Sequence, residues 1–308
     1  MFQLYKKRDF STFLSDTIDF FKGNFKNYFG NFITITGALL VVLCVIFFFI
    51  FKDLFDTVLS NSGNSEILGT YLQDNLAQII LLGGIGFIVA IVFTCITMSF
   101  PVAYLQLMNE TGRDSFTSSE LFEQMKGMLV RVVIFSLLSI LIIFPLAIIA
   151  FFISVALIFL IIGVPLMIIL FPAIYIFISQ SLYVYLTEDE GYFDSLGRGW
   201  KILFSKKFWP VIGNTVVVYI VIGILQSILP MIPYFFMIGS ALSAGDAASK
   251  LTGMTAPMIT LYILSIVSSY FFQNILIINQ GLIYYSSLEQ ETNTQALSEI
   301  DSIGQDAK

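Results

Sequence analysis

Five stretches of this chain carry no Asp, Glu, Lys or Arg and are apolar almost throughout: Phe32 to Phe51, Ile79 to Phe100, Val132 to Leu186, Pro210 to Leu229 and Ile259 to Tyr285. A helix rises about 1.5 Å per residue and a bilayer core is about 30 Å thick, so roughly 20 such residues make one crossing. Four of the stretches have that length. The third would extend about 83 Å as one helix, too long for a single crossing and too short for three with turns. Two crossings fit it, and "IIGVP", Ile161 to Pro165, is where the chain should reverse. Proline cannot continue the helical ladder, and it pushes the preceding residue out of the α region. The pattern predicts six spans, over about 32–51, 79–100, 132–160, 165–186, 210–229 and 259–285. Pro145 and Pro172 fall inside two of them and read as kinks, whereas Pro230 and Pro233 in "LPMIPYFF" predict a broken element after the fifth.

The polar positions are as ordered as the apolar ones. In "YFDSLGRGWKILFSKKFWPVIGN", a helical wheel gathers Phe193, Leu196, Trp200, Leu203 and Phe204 on one face and Arg198, Lys201 and Ser205 on the other. Such a helix should lie flat on the membrane, rings in the acyl boundary and lysines toward anionic headgroups, with Trp209 at the interface where the next span enters. "FSTFLSDTIDFFKGNFKNYFGN" repeats the design, with Phe10, Leu14, Ile18, Phe21, Phe25 and Tyr28 opposite Asp19, Lys22 and Lys26. Phe10, Phe21, Phe25, Gly30 and Asn31 of this copy match Phe193, Phe204, Phe208, Gly213 and Asn214. A weaker third version runs from Thr117 to Leu129: Thr117 and Glu120 have capping-box spacing, and Leu121, Met125 and Leu129 recur at i+4.

The expected architecture is therefore all-α: a polytopic membrane protein with six transmembrane helices as three hairpins, each hairpin preceded by a cytoplasmic amphipathic surface helix. Residues 1–31 form the N-terminal interfacial segment, 32–286 the transmembrane domain and 287–308 an acidic cytoplasmic tail. Between spans one and two, Leu54, Phe55, Val58 and Leu59 suggest a short outer helix, while "SALSAGDAASKLTGMTAP" reads as a loop. In the tail, Leu297, Ile300 and Ile303 could make a short helix.

Charge then orients the spans. Of 15 Lys and Arg, all but Lys52 and Lys250 fall on one side when the spans alternate, and cytoplasmic segments carry that excess. Both termini are thus expected in the cytoplasm and the protein in the cytoplasmic (inner) membrane. Composition agrees, since 12% charged residues is about half the fraction of a soluble domain. There is no histidine, the usual general base at neutral pH. Cys44 and Cys95 lie in apolar runs, where thiols serve as small hydrophobes.

The stretch "SLGRGWKILFSKKFWPVIG" resembles the integral membrane-domain family typified by the membrane portion of glycerophosphodiester phosphodiesterases, in which a surface helix leads through a basic, aromatic turn into a span. The resemblance implies a stand-alone member without the phosphodiesterase domain, because no soluble segment is long enough to house a barrel.

Candidate chemistry is sparse. The headgroup-facing set is Lys22, Lys26, Arg198, Trp200, Lys201, Lys206, Lys207 and Trp209. A polar stripe on the last span, Ser265, Ser269, Gln273, Asn274 and Gln280, flanked by Ser268 and Asn279, faces either partner helices, with Asn214 and Gln226 of span five, or a substrate path. Gly83, Gly84, Gly86 and Ala90 make a small face for close helix packing. Arg131 is expected to snorkel to the surface, and Asp114, Glu120 and Glu188 to be solvated carboxylates. No phosphate loop, metal spacing or nucleophile triad is present. The expectation is a non-enzymatic, lipid-interacting or scaffold protein, with a small-molecule or lipid transporter as the alternative. It needs no catalytic residue, cofactor or metal. Its partners would be the bilayer, anionic lipids and a protein or second copy, not nucleic acid.

Overall fold

The computed structural model describes residues 2–60, 65–242 and 255–292, and every element within them is helical. The helices are α1 (Phe10–Ser60), α2 (Ser65–Asp74), α3 (Leu76–Thr111), α4 (Ser118–Ala156), α5 (Gly163–Thr187), α6 (Tyr192–Leu203), α7 (Phe208–Leu242) and α8 (Thr255–Thr292); a 3-10 turn, Leu157–Leu160, follows α4. Six are long and apolar enough to cross a membrane: Phe10–Lys52, Leu76–Thr111, Ser118–Leu160, Gly163–Thr187, Phe208–Ile232 and Pro257–Thr292. The chain is thus a multi-pass membrane protein by length and composition of its helices. The loop "SALSAGDAASKLTGMTAP" and the tail helix over Leu297, Ile300 and Ile303 lie outside the described residues, apart from the ends of α7 and α8 that border that loop.

The reversal at "IIGVP" is where the pattern placed it. Ile161 takes a left-handed φ of 63° after the 3-10 turn, and α5 begins at Gly163. Pro165 then sits in the first helical turn, where its missing N–H has no partner to lose. Gly163 is required there, since a Cβ would lie 2.3 Å from the Ser154 carbonyl oxygen and 2.4 Å from the Ile158 nitrogen. Thr117 and Glu120 form the capping box, each side chain meeting the other's backbone N–H.

Three expectations about boundaries are corrected. The segments over 10–31 and 117–129 are not separate surface helices; both continue into the following span, as parts of α1 and α4. No proline interrupts either junction, and Asn31, expected to open a new run, sits inside α1 with its amide donating to the Asn27 carbonyl at 2.8 Å. Leu54 to Leu59 likewise belong to α1 and not to an outer helix of their own. Pro230 and Pro233 do not break α7, which runs through both. In hydrocarbon, a broken helix would leave more backbone groups unsatisfied than one proline removes.

The described chain forms two compact units whose limits fall within α1, α3, α7 and α8. Unit 1 is made of the described residues within Met1–Ile35, Cys95–Ile220 and Asn274–Lys308, and unit 2 of those within Thr36–Thr94 and Val221–Gln273. Unit 2 is aliphatic and aromatic, and Lys52 is the only basic residue among its described positions. Of the glycines in its predicted small face, Gly86 alone has a neighbour close to its Cβ position, Ile46 Cγ2 at 3.1 Å, while Gly83 and Gly84 face open space.

Unit 1 holds an aromatic core. Phe20, Tyr28 and Phe32 of α1 meet Phe100 and Tyr104 of α3 with ring centroids 4.9–5.9 Å apart, mostly edge to face. This corrects the wheel of α1, which has three faces instead of two. Ile18 and Phe25 are exposed, and Lys22 and Lys26 are exposed on a second side. A third side, with Phe13, Thr17, Phe20, Asn24 and Tyr28, is buried in protein. Tyr28, grouped by the wheel with the lipid-facing residues, is wholly enclosed.

Candidate functional site

Unit 1 gathers nearly all the described polar chemistry, in four arrangements. The first is α6. Its small residues Ser195 and Gly199 are buried, and Gly199 is obligatory against α5 because a Cβ would come within 2.9 Å of the Ser181 backbone nitrogen. That seating leaves Phe193, Trp200 and Phe204 more than half exposed on the far side. Trp200, Phe204, Phe208 and Trp209 form a ladder with successive centroids 4.3, 5.3 and 5.2 Å apart. Lys201 and Lys206 are exposed beside it, whereas Leu203 of the predicted apolar face is buried in protein.

Two cations of the predicted headgroup set have other commitments. Lys207 Nζ donates to the Arg8 carbonyl at 2.6 Å, and burial, with Lys7 and Arg8 adding repulsion, pulls its ammonium below the usual lysine range. Arg198 is bound to Glu188, to Glu190 at 3.8 Å and to Glu291 at 3.1 Å. Arg131, at the start of its span, reaches the loop after α5. It pairs with Asp189, donates to the Tyr185 carbonyl and lies 4.6 Å over the Tyr185 ring, pinning the loop after α5.

The second arrangement anchors the N-terminal strap, residues 2–9. The Arg8 side chain is fully buried: Nε donates to Asp16 at 2.8 Å, and its terminal nitrogens donate to the Leu4 and Gln3 carbonyls at 2.7 and 2.6 Å. Lys6 joins Asp16 at 3.0 Å, and the Arg8 amide donates to Ser286 Oγ of α8. A residue expected among the solvated topogenic cations is thus an internal clamp. Asn27 of α1 holds the loop before α4 in the same manner, its amide donating to the Phe116 carbonyl at 2.9 Å and its oxygen accepting from the Phe116 N–H at 3.1 Å.

Third is the polar cluster of α8, which lies further along the helix than the stripe predicted. Asn214 Nδ2 donates to Asn279 Oδ1 at 2.8 Å, Asn279 donates to Thr17 at 2.9 Å, and Gln280 donates to Thr215 at 3.1 Å. Gln180 of α5 donates to the Gln280 carbonyl at 3.0 Å, and Tyr28 to Asn274 at 2.8 Å. Asn214, Asn274, Asn279 and Gln280 are completely buried. The N-terminal half of the stripe behaves differently: Ser265 and Ser269 bond the carbonyls of Tyr262 and Ile266 in their own helix, and Gln226 and Gln273 are only half-buried. Asn279 bridges α1 and α7, so Asn279→Ala should cost about 1–2 kcal/mol by leaving Asn214 and Thr17 without it. Unfolding of the purified protein in detergent measures this.

Fourth, a cleft of about 440 Å³ opens where α3, α5, α6, α8 and the strap converge, lined by Tyr5, Gln106, Asn109, Glu110, Thr187, Glu188, Arg198, Tyr284, Tyr285, Leu288 and Thr292. Glu188 accepts from Tyr284 at 2.7 Å, Tyr284 and Thr187 hydroxyls are 2.7 Å apart, and Gln106 donates to Glu110 at 3.0 Å. Burial, helped by Glu188 and Glu289, pushes the Tyr5 phenol up, so it stays neutral. Periodicity gave no sign of this cleft, because its residues come from five separated segments. The carboxylates expected to be solvated are engaged, and separately: Asp114 accepts from the Phe2 amide, Glu120 caps α4, and Glu188 holds Arg198.

Comparisons of the chain with protein-family models, with curated proteins and with solved structures give no match.

Proposed function

We propose that this chain is a non-enzymatic integral membrane protein of the cytoplasmic membrane, with both termini cytoplasmic, that acts as a lipid-interacting scaffold or accessory protein. In this reading it is a counterpart of the membrane domain of glycerophosphodiester phosphodiesterases. The observation that carries it is the aromatic ladder of α6 and its junction with α7, exposed beside Lys201 and Lys206. An apolar stripe flanked by cations is what binds a helix into the plane of an anionic interface. The transport alternative needs an opening at Gln273 and Asn274; Asn274 is enclosed and bonded to Tyr28, which favours the scaffold.

The chain has two tryptophans, Trp200 and Trp209, so tryptophan emission, excited at the red edge where its tyrosines do not absorb, reports this region alone. In bilayers of brominated lipid, bromines near the headgroup should quench that emission more than bromines deep in the chains. Lys201→Gln with Lys206→Gln should move the preference for brominated phosphatidylglycerol over phosphatidylcholine toward unity, each lysine contributing about 1 kcal/mol. Equal quenching at every depth, or a preference untouched by the double substitution, contradicts the proposal.

A further inference from the structure

The cleft between the ends of α3, α5 and α8 has a charge that its own residues leave uncompensated. Two carboxylates, Glu110 and Glu188, line it, and the one cation of the lining, Arg198, is shared among Glu188 and two carboxylates outside the lining, Glu190 and Glu291. Glu110 stands on the open side, outside the reach of those pairs, contacted by the Gln106 amide. Three tyrosine rings line the same space, Tyr5 against Tyr285 at 5.5 Å and Tyr285 against Tyr284 at 5.2 Å, both edge to face.

These features define a complementary ligand. An excess of carboxylate calls for a positively charged partner. Aromatic faces attract the same charge through their quadrupoles, more effectively where water is partly excluded. Among the described residues no three carboxylate or thiol groups converge closely enough to hold a metal ion, so the cation is not matched by a chelating cage. A volume of about 440 Å³ lies within the range of small-molecule sites and exceeds what one inorganic ion needs.

We propose that this cleft binds an ammonium group, carried either by a free small amine or by the headgroup of an aminophospholipid. The strap contributes Tyr5, so occupancy also ties residues 2–9 to α3 and α8. The site is independent of the membrane-facing role of α6, because its carboxylates and rings lie outside the Trp200 to Trp209 ladder.

The test uses the full chain in dodecyl maltoside, with melting followed by tryptophan emission. Ethanolamine should raise the melting temperature saturably, and equal concentrations of ethylene glycol or sodium chloride should not. In mixed micelles, phosphatidylethanolamine is compared with phosphatidylglycerol. Glu110 is exposed and can be changed without disturbing the core: Glu110→Gln should weaken the apparent affinity about threefold and Glu110→Lys about tenfold or more. A graded response to ethanolamine supports the site with a free amine as ligand, and one seen with phosphatidylethanolamine alone supports it with the lipid as source. Equal shifts from charged and neutral compounds, no shift from either amine, or a response unchanged in Glu110→Lys overturns it. Loss of this response would leave the quenching experiment on α6 unaffected, so the two proposals fail separately.

Discussion

Asp16→Asn is expected to destabilise the protein by about 3–5 kcal/mol and to release its first residues to protease, because it strands a buried guanidinium. The Arg8 side chain has no exposed surface, and Asp16 is 12% exposed, so neither group regains water when the other is removed. Arg8→Ala should cost a similar amount by a different route. It frees the start of the strap from its two carbonyl bonds, at Leu4 and Gln3, as well as uncovering Asp16. Trypsin cleavage after Lys6 and Lys7 reads strap release directly, while unfolding in detergent gives the free energy. The double variant Arg8→Met with Asp16→Leu should recover part of the loss, since a buried pair replaced by apolar groups of similar volume is close to neutral. Recovery stays incomplete because the Leu4 and Gln3 carbonyls still lack a donor. Wild-type protease resistance in Asp16→Asn would show that the clamp does not hold the strap.

Among glycine substitutions, Gly163→Ala should be the most damaging, at about 3 kcal/mol, the upper part of the range for overpacking. Its Cβ would meet backbone atoms of the preceding turn, Ser154 O and Ile158 N, which can move only if the reversal between α4 and α5 opens. Gly281→Ala should cost less. Its nearest obstacles, Leu105 Cδ1 at 2.3 Å and Tyr183 Oη at 2.5 Å, end side chains, although the Tyr183 hydroxyl would have to leave its bond to the Ile277 carbonyl. Gly86→Ala, facing only a methyl group of Ile46 at 3.1 Å, should lie within about 1 kcal/mol of the parent. Melting temperatures of the three variants in one detergent give the order. A harmless Gly163→Ala would mean that the turn has another low-energy form.

The purely local features were legible in the chain. The number of apolar helices follows from run length against bilayer thickness, and the reversal at "IIGVP" from the chemistry of proline. The capping box at Thr117 needs only residues three apart, and it formed. Helix ends were less legible, because nothing local told whether 10–31 and 117–129 stop at the span that follows. They continue, since an uninterrupted ladder satisfies backbone groups that a break would expose to hydrocarbon.

The candidate sites divide along the same line. The exposed ring face of α6 could be read from a wheel because lipid contact selects for a continuous apolar stripe within one helix. The partners of the buried polar groups could not. Phe13 and Phe20 look no different in sequence from the exposed Ile18 and Phe25, yet with Thr17 and Asn24 they form the packed side of α1. Likewise Arg8, Arg198 and Lys207 counted only as cations on the membrane's charged side until their acceptors, the Arg8 carbonyl for Lys207 among them, were placed beside them.

By itself, then, the order of residues determined that the chain makes six membrane-length helices, where one pair reverses, and which side of α6 is apolar, because each depends on spacing within a single segment. Only the tertiary structure decided which cations are held by carboxylates and carbonyls of the protein, which amides close on one another, and that a cleft lined by Glu110 and Glu188 exists. Those properties belong to pairs and groups of side chains, and a hydrogen bond or an ion pair is fixed by distance in space, which periodicity along one helix does not encode.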